Sequence, residues 1–182
     1  MAGVPGFRLR SNYRLAIAAA TLAVAAAAPL SPPAGAAPAD QPPPCSAQQL
    51  TVTAGQPQAA VGHRAVTLTF ALADGATDCT LSGYPTVDSG AGGPLLHAQH
   101  TPRGYMGGLP ATVDVAPTVA LTQSQRAQAV VEGTAIDGDG NPCPTYTELR
   151  VTPPGTTTAL IVPTGIEACE LQVHPVVLGS QE

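Results

Sequence analysis

The residues of this chain that could do chemistry fall into three groups, and each specifies a different function. The first is Asp137-Gly138-Asp139-Gly140-Asn141, followed by Glu148. Oxygen donors at loop positions one, three, five and twelve (Asp137, Asp139, Asn141 and Glu148) have the spacing of a helix–loop–helix calcium site. Position six is Pro142, where such a loop needs glycine, and no helix is expected on either side. A turn-rich connection between strands is therefore the better expectation, with calcium as the alternative. The second group is His97 and His100 with Met106 nearby, a donor set suited to copper or zinc. Residues three apart on a strand face opposite sides, so the two imidazoles would reach one metal only across a turn. His63 follows Gly62 at a turn and His174 precedes Pro175, and neither has an obvious partner in the sequence.

The third group is the four cysteines, Cys45, Cys79, Cys143 and Cys169. Zinc binding would favour a C-x-x-C pair, and none is present. An even count fits a disulfide framework. Of the three possible pairings, Cys45–Cys79 with Cys143–Cys169 is favoured, because each bond would tie neighbouring segments within one half. The other pairings stay open at this level. No catalytic residues are assigned. A Gly-x-Ser-x-Gly elbow is missing, a lysine nucleophile is excluded because the chain has no lysine, and no Gly-rich phosphate loop occurs. A carbohydrate cleft would need stacking rings, and tryptophan is absent.

These groups must be positioned by something, and the composition says what. Nineteen glycines and 20 prolines, plentiful Thr and Val, and few helix formers favour short strands joined by turns. Period-two alternation is clearest from Ala65 to Leu72, where Val66, Leu68, Phe70 and Leu72 would share one face and Thr67 and Thr69 the other. Further strands are expected at Leu50–Thr53, Thr86–Asp88, Leu95–His97, Thr112–Val115, Ala127–Glu132, Leu149–Thr152, Ala159–Val162 and Leu171–His174. Turn chemistry separates them at Asp74-Gly75, Gly90–Pro94, Asp137–Pro142 and Pro153-Pro154-Gly155. The prediction is an all-β, immunoglobulin-like two-sheet β-sandwich of about seven to nine short strands with two disulfides.

The first residues carry Arg8, Arg10 and Arg14 and no acid. An Ala-rich apolar run follows from Leu15 to Leu30, and then Ala34-Gly35-Ala36. That order predicts a secretory signal peptide over residues 1–36, cleaved near Ala36 or Ala37. The apolar run is shorter than the roughly 20 residues a bilayer span needs. Cys45 lies too far downstream to carry a lipid, so no transmembrane or lipid anchor is expected in the mature chain. Residues 37–44 read as a Pro-rich disordered tail, 45–177 as the sandwich, and 178–182 as a C-terminal tail. The whole chain has a formal net charge of −5; past Ala36 only Arg64, Arg103, Arg126 and Arg150 face all twelve acids, leaving −8. Such a domain is repelled by phosphate backbones and anionic membranes, which excludes nucleic acid as a partner.

At Cys79-Thr80-Leu81-Ser82-Gly83-Tyr84-Pro85 the sequence resembles a family of exported actinobacterial proteins built on a domain of unknown function. The resemblance extends to the Cys45–Val52 segment, the Gly62-His63 pair and the Cys169–Val173 segment, and so spans about residues 45–177. Ser124-Gln125 stands where the family tends to have Pro-Gly. The resemblance implies export, a β-sandwich and disulfides, and it implies no enzymatic activity, cofactor or catalytic residues. The function expected is therefore a non-catalytic exported module that contacts a protein or small ligand at the cell envelope, secreted or held at the cell wall. The alternatives are a calcium- or copper-binding secreted protein and an envelope hydrolase.

Overall fold

The computed structural model describes residues 41–180, so the expected leader, residues 37–40 and residues 181–182 lie outside the described part. A short 3-10 turn at Ala47–Gln49 leads into β1 (Leu50–Ala54), β2 (Gln58–Ala60) and β3 (His63–Leu72). Then follow β4 (Cys79–Ser82), β5 (Thr86–Ser89), β6 (Gln99–His100), β7 (Thr118–Leu121) and β8 (Ala127–Thr134). The last four are β9 (Thr145–Thr152), β10 (Leu160–Glu167), β11 (Leu171–Val173) and β12 (Val177–Leu178). No α-helix occurs among the described residues, and the fold is all-β.

The large sheet runs β1-β3-β8-β11-β6, with β2 added beside β3 and β12 beside β8. A three-stranded sheet, β10-β9-β5, packs across it, and β4-β7 form a separate two-stranded ribbon. Pairing is antiparallel except between β11 and β6. The alternation read in β3 is the alternation observed: Val66, Leu68, Phe70 and Leu72 are buried, and Thr67 and Thr69 are only partly covered. Opposite them Val131, Ala129 and Ala127 occupy the same inner face in register. Leu149, Val151, Val162 and Ile166 close the core from the smaller sheet. Twelve strands form among the described residues where seven to nine were expected: β2, β4, β6, β7 and β12 lie where no strand was assigned, and β2, β6 and β12 are pieces of only two or three residues. The fold is the β-sandwich expected, with the β4-β7 ribbon as a further two-stranded sheet.

Two expected strands are corrected. Thr112–Val115 is irregular, lying between Pro110 and Pro117, and Val115 is 79% exposed, so its alternation has no face to bury. Leu95–His97 contributes only an isolated bridge, His97 opposite Asp88. At the chain ends, Pro43 and Pro44 are not free: Thr80 donates its N–H to the Pro43 carbonyl, and Cys45 donates to Thr80. At the other end β12 carries the pairing through Leu178.

The β2–β3 hairpin turns on Val61 and Gly62, both with positive φ, at 43° and 81°. A two-residue turn of that hand prefers Asn-Gly, since a β-branched side chain crowds the following carbonyl in the left-handed region. Val61 is also 86% exposed, so it recovers nothing by burial. Val61→Asn should stabilise the domain by about 1 kcal/mol. Thermal unfolding would show this as a Tm rise of roughly 3–4 °C, and an unchanged or lower Tm would refute the strain argument.

Candidate functional site

The parity of β8 aims Gln128, Val130, Glu132 and Thr134 away from the core. Glu132 should therefore be exposed, yet only 4% of it is. What covers it is a strap formed by residues 101–110. Thr101 is joined to Val173 by a backbone hydrogen bond, Gly104 and Leu109 donate to Gly107 and Pro102, and the strap folds back on itself over the outer face of β8. Glycine is required here by close approach: a Cβ on Gly104 would lie 2.6 Å from a Glu132 carboxylate oxygen, and one on Gly107 2.8 Å from Val130. Arg103 ties down the far side by donating to the carbonyls of Leu109, Pro110 and Val113 and pairing with Asp114 at 2.9 Å.

Beneath the strap the Glu132 carboxylate accepts the backbone N–H of Tyr105 at 3.0 Å and of Met106 at 2.7 Å. Its Oε1 also faces His174 Nε2 at 2.9 Å. His174 is 1% exposed, and its Nδ1–H donates to the Thr101 carbonyl at 3.0 Å, with the Thr101 hydroxyl at 3.2 Å. With the Nδ1 proton committed to that carbonyl, Nε2 is left to face Oε1. The polar atoms of this buried pair are all hydrogen-bonded, as burial of such groups demands.

Thr101, His174 and Glu132 have the order of a nucleophile, base and orienting acid. Three observations argue against that use. The ring nitrogen nearest the hydroxyl is committed to Thr101's own carbonyl; the hydroxyl also lies 3.3 Å from the Gln172 amide oxygen; and the imidazole is sealed beneath the strap. The arrangement holds a loop down. It does not present a nucleophile to a substrate.

Above the pair, Tyr105 stacks on His63 with ring centroids 4.5 Å apart and planes 16° from parallel. Beside this stack is a cavity of about 180 Å³, lined by His63, Tyr105, Glu132, Thr134, Glu170 and Gln172 among others. A second stack joins Tyr84 to His100 at 4.9 Å.

The remaining sequence candidates are not brought together. His97 meets the Asp88 carboxylate at 2.6 Å while His100 lies on Tyr84, so the two imidazoles have separate partners. The Asp137 carboxylate is taken up within its own turn, accepting the backbone N–H groups of Asp139 and Asn141 and the Asn141 amide. Those bonds, the Asn141 backbone first, hold the Asp137 carboxyl below its ordinary value. Glu148 lies on β9, paired with Pro163 and joined through its carbonyl to Gly90. Among the described residues no three His, Cys, Asp or Glu side chains are arranged to hold a metal ion.

The cysteines form two disulfides, Cys45–Cys79 and Cys143–Cys169. The residues sequence reasoning passed over are Thr101, Tyr105, Glu170 and Glu132, the last being the partner of His174. One signal was present: Gly104-Tyr105-Met106-Gly107-Gly108, whose glycine density marks a backbone lying close to something else.

The family described as "Domain of unknown function (DUF4232)" matches residues 45–177. No curated protein and no solved structure matches the chain.

Proposed function

Because the chain belongs to the DUF4232 family, a domain of unknown function, we propose that it is an exported, non-catalytic module that contacts a protein or small ligand at the cell envelope. The observation that carries the non-catalytic part is the use made of Glu132 and His174. Their ring nitrogens and carboxylate oxygens are occupied in fastening the strap, and no buried side-chain nitrogen or oxygen among the described residues lacks a partner. Contact is supported by what the strap displays: Tyr105, 60% exposed and oriented by His63, over a cavity. Export is supported by the leader-like residues 1–36 and by two disulfides with no free cysteine among the described residues. No helix among the described residues is long and apolar enough to cross a membrane.

Two measurements test this reading. The intact mass of the exported protein, unreduced, should begin near Ala37 and lie four hydrogens below the reduced chain, one pair for each bond. A full-length or fully reduced product would overturn the export claim. A photo-crosslinking residue placed at Tyr105 should trap a reproducible partner at the cell surface, whereas one at the exposed Ile161 should not. Failure of Tyr105 to trap anything, together with an ester-hydrolysing activity lost in His174→Gln, would overturn the non-catalytic reading in favour of a hydrolase.

A further inference from the structure

We infer that the cavity beside the His63–Tyr105 stack is a binding site for an alkylammonium group, the chemistry shared by a lysine side chain and a free primary amine. Its volume, about 180 Å³, is the room of roughly six waters and suits an ammonium head on a few methylenes. Its walls are of two kinds. One is aromatic: the Tyr105 ring is held in place by His63 at 4.5 Å, with much of its surface open. A cation over such a ring is attracted by the ring quadrupole. The other is acidic: Glu170, exposed at its mouth, makes no ion pair among the described residues, while the Glu132 carboxylate that also lines the cavity is taken up by the strap and His174. The nearby Arg64 is already committed to Glu167 at 2.6 Å and does not neutralise it. Gln172 and Thr134 add polar groups at the same place.

The sign of the ligand follows from these walls. An anion would meet Glu170 and a chain carrying −8 past Ala36. A divalent metal would need a third convergent donor, which is not there among the described residues. A monovalent organic cation needs no such coordination shell. It takes one carboxylate, one ring face and room for an apolar stem. The chain has no lysine of its own, so no lysine side chain of this chain fills the cavity. The inference rests on the interaction reading above only for the carrier of that amine; the cavity chemistry stands without it.

The test is a chemical-shift titration of the mature, oxidised domain. The probes are n-butylammonium, n-butanol, butyrate, and a short peptide with one internal lysine and blocked ends. Saturable shifts are expected at the amides of Tyr105, Gly133, Thr134 and Gln172 with butylammonium and with the peptide. None is expected with butyrate, and butanol should bind far more weakly than butylammonium. Tyr105→Leu and Glu170→Gln should each weaken the butylammonium constant by about two- to fivefold, as loss of a partly exposed cation contact implies. Asp139→Asn, which removes the same charge elsewhere on the surface, should leave it unchanged. Equal binding of butanol would show an apolar pocket only. No saturable shift with butylammonium, or equal loss in Asp139→Asn, would also overturn the proposal. Tighter binding of the peptide than of butylammonium assigns a protein partner, and equal or weaker binding assigns a free amine. Failure here leaves the crosslinking result at Tyr105 untouched, so the two readings fall separately.

Discussion

Glu132→Ala should lower the stability of the domain by about 3–5 kcal/mol, the range found when one member of a buried charge-capable pair is removed. The size comes from what is stranded. His174 Nε2 would be left without a partner at a site 1% exposed, and the N–H groups of Tyr105 and Met106 would lose their acceptor. Glu132→Gln should cost less, about 1–3 kcal/mol. Its amide can place an oxygen toward Tyr105 and a donor toward a neutral His174, but the Met106 N–H then faces that donor. The predicted order is therefore wild type, Gln, Ala. Urea denaturation measures it, and an alanine variant within about 1 kcal/mol of wild type would refute the clamp.

Stability alone does not show that the strap is what the pair holds, and Gly104→Ala supplies that distinction. It leaves Glu132 and His174 chemically intact but puts a methyl 2.6 Å from the carboxylate, so the strap must move. Amide hydrogen exchange at Tyr105 and Met106 should accelerate in both Gly104→Ala and Glu132→Ala, while the global loss should be much smaller in Gly104→Ala. Unchanged exchange in Gly104→Ala would mean that the strap is held by Arg103 and Leu109 instead.

The strap also shows where sequence reading ran out. Strand β3 could be read because its information is local: four apolar residues at period two name their own face. The Ala127–Glu132 strand was equally local, and its parity even places Glu132 outward. What parity cannot supply is the cover. Glu132 and His174 are 42 positions apart and meet only because β11 pairs with β8, and Thr101 joins them from a segment with almost no regular structure. The carboxylates close to His174 in sequence, Glu167 and Glu170, are not the one it meets. Thr112–Val115 failed for the opposite reason: its local pattern was strand-like, but prolines on both sides and a chain already committed to Arg103 left it unpaired. The cysteine pairing could be read because each bond ties neighbouring segments within one half of the domain. The cavity beside Tyr105 could not, since it is assembled from β3, β8, β11 and the strap.

Removing the disulfides is the second large expectation. In the loop-entropy account, Cys45–Cys79, spanning 34 residues, contributes about 3.8 kcal/mol, and Cys143–Cys169, spanning 26, about 3.5 kcal/mol. The two differ so little on this ground that any larger measured gap must come from the folded state. Both regions retain local backbone bonds when the sulfurs go: Cys45 and Thr80 stay linked to each other and to Pro43, and Cys143 and Cys169 stay bonded to Ala135 and Thr134. Each double-alanine variant should therefore fold at 25 °C, weaker by about 2–4 kcal/mol. Alanine is the replacement to use, because Cys79 is fully buried and serine would add a stranded hydroxyl. Removing both bonds takes away about 7 kcal/mol, which is comparable with the 5–15 kcal/mol total of an ordinary domain. This core has little to set against that loss, since Phe70 and Tyr146 are its only fully buried aromatic side chains among the described residues. The variant lacking both bonds should be largely unfolded at 37 °C by circular dichroism. A single variant costing under about 1 kcal/mol, or a cooperative fold in the doubly reduced chain, would show that the sandwich stands without its cross-links. If the expectation holds, the chain folds stably only where its cysteines can be oxidised.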